Sequence, residues 1–205
     1  MKINKKIAFD FGILIVAVIS FVINFITFKS LKGILYFTIY SNILCIIYYF
    51  IALIYDLMQK NNKFIKYKGM ILTFLLSTFL IYNLYLVPFG KMHDYDGHFI
   101  ASLFIHVICP LLVLADNIVN NESNMFKVKD IIFWSFGVFI YGIIVITYQL
   151  FGGTFLNDTL YPYIIYDYLD YGIFGCLLMN CIVYIVFVLM SYIIIKINNS
   201  RHKEV

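Results

Sequence analysis

A chain of 205 residues that is 63% hydrophobic, with 13% charged residues and a mean hydropathy of +0.91, has too few polar groups to cover a water-soluble surface. Composition therefore excludes a soluble globular domain and predicts an integral membrane protein. The net charge of +4 does not point to nucleic acid, because the cations are spread over the loops rather than gathered into a patch.

The chain opens on "MKINKKIAFDFGILIVAVISFVINFITF", which starts like a signal peptide. Its apolar run is too long for one, and no small-x-small cleavage site follows, so it reads as an uncleaved first span. A helix needs about 20 mostly apolar residues to cross the hydrocarbon. Six windows meet that length: 7–28, 34–57, 69–90, 98–118, 130–151 and 166–195. Their apolar character is continuous rather than alternating, which predicts helices and not barrel strands. The expected fold is all-α: a polytopic membrane bundle of six transmembrane helices forming one domain over residues 1–205. The four cysteines, Cys45, Cys109, Cys176 and Cys181, lie inside these runs and read as small buried hydrophobes.

Basic residues set the expected orientation. With the N-terminus in the cytoplasm, Lys2, Lys5, Lys6, Lys60, Lys63, Lys66, Lys68, Lys127, Lys129, Lys196, Arg201 and Lys203 fall inside, and only Lys29, Lys32 and Lys91 fall outside. That bias predicts two cytoplasmic termini, and a multi-pass protein of a cell membrane, namely the plasma membrane of a bacterium. No internal repeat is visible, which argues against a transporter built from inverted halves.

Orientation gives each intramembrane polar residue a depth. In "YFTIYSN", Thr38 lies about 5 residues below the outer end of the second helix, roughly 8 Å at 1.5 Å per residue. His106 lies about 8 residues, or roughly 12 Å, below the outer end of the fourth. Asn83, Tyr148, Gln149, Tyr161, Tyr163, Asp167 and Asp170 gather in the same outer layer. Asp10, Asp56 and Asp116 sit near the inner boundary, where headgroups or loop lysines are in reach. The polar interior is thus expected to open toward the outer leaflet.

Thr38, Ser41, Asn42 and Cys45 follow i, i+3, i+4, i+7 and share one inward stripe. Such residues commonly glue helices together by hydrogen bonds. His106 suggests more, because an ionisable residue within a span defaults to a functional role. Pro110, four residues later, has no N–H for the His106 carbonyl and clashes with it, which predicts a kink at the histidine. A neutral buried imidazole can take the proton of a threonine hydroxyl within hydrogen-bond reach. Asn42 could donate to an oxyanion or orient the histidine, and Asp167 or Asp170 could hold the imidazole. Ser41 is a rival nucleophile. The loop "HDYDGH", with His93, Asp94, Asp96 and His98, could hold a cation, but charged loops are usually only solvated. No metal and no cofactor are expected.

Several segments together carry a family likeness. "YFTIYSNIL", "HVICPLLVLAD", "YGIIVITYQLFGG" and "YPYIIYDYLDYGIFG" resemble the bacterial Pr6Pr family of six-helix membrane proteins. That family is in turn distantly similar to the eukaryotic androgen-induced protein / androgen-dependent TFPI-regulating protein group. Those multipass threonine hydrolases cleave fatty acid esters of hydroxy fatty acids with one intramembrane Thr and one intramembrane His. The resemblance implies Thr38 and His106 as the matching pair, and membrane lipids and a lipid ester as partners. The chain departs from the family at "DNIV", beside Asp116, where a hydrophobic aromatic is usual.

Two expectations follow. One is an intramembrane hydrolase of lipid esters, with Thr38 and His106 as catalytic residues and Ser41, Asn42, Asn83, Tyr148, Tyr163 and Asp167 around the substrate. The other is a non-catalytic lipid or small-molecule binding protein, or a transporter, using the same cavity.

Overall fold

A computed structural model describes residues 5–88, 99–120 and 125–200. Among them are six helices long and apolar enough to cross a membrane, and no strand. They are α1 (Lys5–Phe28), α2 (Phe37–Leu57), α3 (Lys66–Ile81, continued by a π turn over Tyr82–Leu86), α4 (Phe99–Val119), α5 (Asp130–Leu150) and α6 (Tyr168–Ser200). The sixth runs further toward the C-terminus than its apolar window, through the polar "NNS". The chain is a multi-pass membrane protein.

α3 has the lowest mean hydropathy of the six, 1.3, and the largest buried share, 56%. It is the central helix and packs on α2, α4, α5 and α6, while α1 lies against α2 and α4, and α5 pairs with α6. The outer helices turn apolar side chains away from the bundle, such as Phe11, Val22, Phe25 and Ile26 on α1. In water such a surface would drive aggregation; in hydrocarbon it is the expected solvent-facing side.

One core cluster draws on all six helices, through Ile13 and Ala17, Cys45 and Tyr49, Ile71 and Leu75, Cys109 and Val113, Trp134, and Ile195. Close approach requires glycine at Gly69 and at Gly142. A Cβ on Gly69 would meet the Trp134 ring, and one on Gly142 would meet the Asn180 side-chain amide. Asn180 is held there by its own bonds, accepting from Tyr166 Oη at 3.0 Å and donating to Phe139 O at 3.1 Å. Cys45, Cys109 and Cys176 are buried as expected, whereas Cys181 is exposed on the outer face of α6. An apolar neighbourhood in sequence does not reveal which side of a wholly apolar helix meets lipid.

The link between α5 and α6 folds back over one end of the bundle. Phe155 and Tyr166 are buried in it, and Tyr36 meets both Phe155 and Tyr163 edge-on. Lys32, before α2, reaches Thr154 at 2.7 Å and Asp158 at 2.8 Å in the same link. That ion pair holds the Asp158 carboxyl below its ordinary pKa. The loop carrying His93, Asp94, Asp96 and His98 lies outside the described residues.

Candidate functional site

The first turn of α2 begins without a side-chain cap of its own. Tyr141, on α5, supplies the missing partner: its hydroxyl accepts from Phe37 N at 3.1 Å and donates to Leu35 O at 2.9 Å. This satisfies one of the orphan N–H groups that open every helix and pins Thr38 against α5 and the folded-back link. All four stripe residues point inward: Thr38 is 8% exposed, and Ser41, Asn42 and Cys45 are fully buried.

Within the stripe, two side chains turn on the backbone of a third. Ser41 Oγ and Asn42 Nδ2 each donate to Thr38 O at 2.9 Å. The Asn42 bond dictates the orientation of its amide, since a flipped group would set oxygen against oxygen. Asn42 Oδ1 is left buried with no partner among the described residues. Asn42 thus spends one of its two N–H groups on Thr38 O and holds an unpartnered acceptor beside it.

The Thr38 hydroxyl meets Tyr163 Oη at 3.5 Å, well beyond the usual O–H···O distance of about 2.7–2.8 Å. Burial pushes the Tyr163 phenol above its ordinary pKa, so it stays a neutral O–H group. No hydrogen bond joins Thr38 to His106 among the described residues.

His106 occupies the middle of a π turn, Phe104–Ile108, that ends just before Pro110. The kink expected from Pro110 takes this form: the ladder widens to i→i+5 bonding, with Cys109 N donating to Phe104 O, ahead of the residue that cannot donate. A second π turn, in α3, has Val87 N donating to Tyr82 O at 3.0 Å. The two turns are joined by a ring stack, Tyr82 on His106, with centroids 4.0 Å apart and planes 8° apart. His106 is 8% exposed, and its Nδ1 has no partner among the described residues. Sequence reading did not find Tyr82, because a stack between two helices depends on their relative rotation.

The remaining candidates are spread around this end. Asn83 Nδ2 donates to Phe79 O at 2.8 Å, back along its own helix. Asp167 accepts from Leu169 N at 3.1 Å and so caps α6; no described bond joins it to His106. Asp170 is exposed in the first turn of the same helix. Tyr148 packs on Phe155 and donates to Thr154 O at 3.3 Å. Gln149 is 3% exposed, with both polar side-chain atoms unpartnered among the described residues. An open groove of about 170 Å³ runs between α2 and α5, walled by Tyr40, Ile140, Tyr141, Tyr148 and Phe155. Thr38 and His106 do not line it, but Tyr141 belongs both to its wall and to the first turn of α2.

The opposite end corrects the expectation of a one-sided polar interior. Lys68 and Asp116 form an ion pair at 2.7 Å with both side chains buried. Tyr49 Oη donates to Asp116 Oδ2 and Asn120 Nδ2 to Asp116 Oδ1, each at 2.8 Å. Lys6 pairs with Asp56 at 2.8 Å, and Asp10 is 3% exposed beside them. Asp56 and Asp116 do reach lysines, through contacts within the protein rather than with headgroups. Lys68 reads as one more basic loop residue in the sequence; in the structure it is buried and paired with Asp116.

Fold and contacts together define a six-helix membrane bundle whose two ends are both polar inside, with a closely bonded cluster around Asp116 and a loosely bonded one around Thr38. Comparison of the chain with family models, with curated proteins and with solved structures gives no match.

Proposed function

We propose that this protein is an intramembrane hydrolase of lipid esters, such as fatty acid esters of hydroxy fatty acids, acting from the outer leaflet of a bacterial plasma membrane with both termini cytoplasmic. The resemblance of its motifs to the Pr6Pr family, itself distantly similar to the eukaryotic threonine hydrolases, suggests that class. The observation that carries it is the unpartnered Nδ1 of a buried imidazole, held flat by Tyr82 in a π turn that packs against α2. π turns recur at functional sites, and an orphaned buried nitrogen in hydrocarbon is costly unless a ligand or reacting group meets it.

In this reading Thr38 Oγ1 attacks the ester carbonyl carbon while His106 takes its proton. The tetrahedral intermediate collapses, the hydroxy acid leaves with the proton returned by His106, and water then releases the acyl group from Thr38. Tyr163 Oη is the described side-chain partner of the reacting oxygen, and the long Thr38–Tyr163 contact leaves the hydroxyl only weakly held. An acyl chain would lie in the groove beside Tyr141, with no metal or cofactor required.

A second reading, a non-catalytic lipid or small-molecule binding protein or transporter, draws support from one contact: the Thr38 hydroxyl faces Tyr163 rather than His106. A fluorophosphonate probe separates the two. The hydrolase reading expects covalent labelling that disappears in Thr38→Ala and falls sharply in His106→Ala. Labelling that survives Thr38→Ala, or no labelling of the folded wild type, overturns it.

A further inference from the structure

The groove between α2 and α5 has a definite length and one polar end. Its α5 wall is a single helical face, formed by Gly137, Ile140, Tyr141, Ile144 and Tyr148 at i, i+3, i+4, i+7 and i+11. From Gly137 to Tyr148 that face runs about 16 Å at 1.5 Å per residue. This is close to half of a hydrocarbon core about 30 Å thick. Ile140 and Ile144 are exposed along it, and exposed isoleucines on a membrane-crossing helix meet hydrocarbon rather than water. The groove therefore has the length of one acyl chain running from the bilayer surface to its midplane.

Polar groups collect at the Tyr148 end. Tyr148 Oη donates to Thr154 O at 3.3 Å, in the link that follows α5. Thr154 Oγ1 accepts from Lys32 Nζ at 2.7 Å, and Lys32 also meets Asp158 Oδ1 at 2.8 Å. Lys32 lies just ahead of Ile34 and Leu35, which line the groove from the other side. An ammonium group carries three N–H donors, and no described bond takes the third. Asp158 Oδ2 accepts no described bond either, and the Asp158 side chain is 85% exposed. A cation with a spare donor thus stands beside an open carboxylate at the mouth of the groove.

We propose that the groove and the Lys32–Asp158 pair together bind one zwitterionic aminophospholipid, with an acyl chain along α5, the phosphate on Lys32 and the primary ammonium on Asp158. Lysine gives a phosphate oxygen a charge-assisted hydrogen bond, and a primary ammonium gives one to a carboxylate. An anionic headgroup without the amine still meets Lys32 but sets like charge against Asp158. The headgroup class rests on the chain lying in the groove, as in the hydrolase reading, and on no step at Thr38.

Native mass spectrometry of the purified Thr38→Ala protein tests it, because no turnover then consumes the ligand. Delipidated protein is titrated with phosphatidylethanolamine or with phosphatidylglycerol of the same acyl chains. One phosphatidylethanolamine should bind, and more tightly than phosphatidylglycerol. Adding Lys32→Met should weaken it about tenfold, the weight of one hydrogen bond to a charged group. Adding Asp158→Asn should bring the two affinities together. Ile144→Trp, which fills the groove from an exposed position, should remove the bound lipid, whereas Ile132→Trp, exposed on α5 outside the groove, should not. If Lys32→Met does not fold, Ile144→Trp and the choice between the two lipids still decide. Equal affinity for both lipids in Thr38→Ala alone, or phosphatidylethanolamine binding that either Lys32→Met or Ile144→Trp leaves unchanged, overturns the site. Covalent labelling of the wild type by the fluorophosphonate probe is read separately and bears on the hydrolase reading alone.

Discussion

The polar clusters around Asp116 and around Thr38 differ in how completely their groups are paired. Around Asp116, a carboxylate takes a lysine, a phenol and an amide at 2.7–2.8 Å. Around Thr38, the side-chain contact is 3.5 Å long, and Asn42 Oδ1 and His106 Nδ1 have no partner among the described residues. Buried charge must be fully paired to be tolerated, so the first end is a structural clamp. Buried polar atoms left unsatisfied mark strain or a site for something else. The Asp116 cluster is thus built for stability, and the chemistry we propose falls at the loosely bonded Thr38 end.

The largest test of this contrast is Lys68→Met. It leaves Asp116 ionised or forces it to take a proton in a buried site, and the expected cost is about 3–5 kcal/mol, read from denaturant unfolding in mixed micelles. Lys68→Met combined with Asp116→Leu should recover much of that loss, because the uncompensated charge is gone. A loss under about 1 kcal/mol for the single variant, the range of exposed pairs, would remove the clamp.

His106→Ala should show the opposite profile. Hydrolysis should fall by about 10²–10⁴-fold, the usual contribution of a general base. The stability change should stay near the value of one aromatic stack, about 0.5–1.5 kcal/mol. A large stability loss with unchanged turnover would make His106 a structural histidine.

Gly142→Ala comes next in size. The added methyl meets the Asn180 amide, and displacing it disturbs the Tyr166 and Phe139 bonds; overpacking of this kind costs about 1–3 kcal/mol. Thermal unfolding should register it with the Thr38 end still active. Tyr163→Phe is the smallest in stability, because a hydrogen bond at 3.5 Å contributes little. Turnover should drop while the melting temperature holds, and equal turnover in the two proteins would separate Tyr163 from the chemistry.

Much of the frame was legible in the sequence. Continuous apolar runs gave six spans at nearly their observed limits, and the i, i+3, i+4, i+7 spacing turned Thr38, Ser41, Asn42 and Cys45 inward. Pro110 announced an irregular turn at His106, although the backbone meets it by widening rather than by a simple break. What escaped was everything that depends on the rotation of one helix against another. Tyr82 lies on His106, and Lys68 reaches Asp116, across different helices. Tyr163 meets Thr38 because the α5–α6 link folds back, a path that no periodicity encodes. Asp10, in "AFDFG", reads as a boundary charge in the sequence; the packing of its neighbours buries it.

The most direct test of the central claim is intact-protein mass spectrometry after incubation with an activated lipid ester, followed by peptide mapping. The account predicts an acyl adduct on Thr38, absent in Thr38→Ala and greatly slowed in His106→Ala. A folded protein that binds the ester without any adduct, or an adduct on another residue that persists in Thr38→Ala, would contradict it.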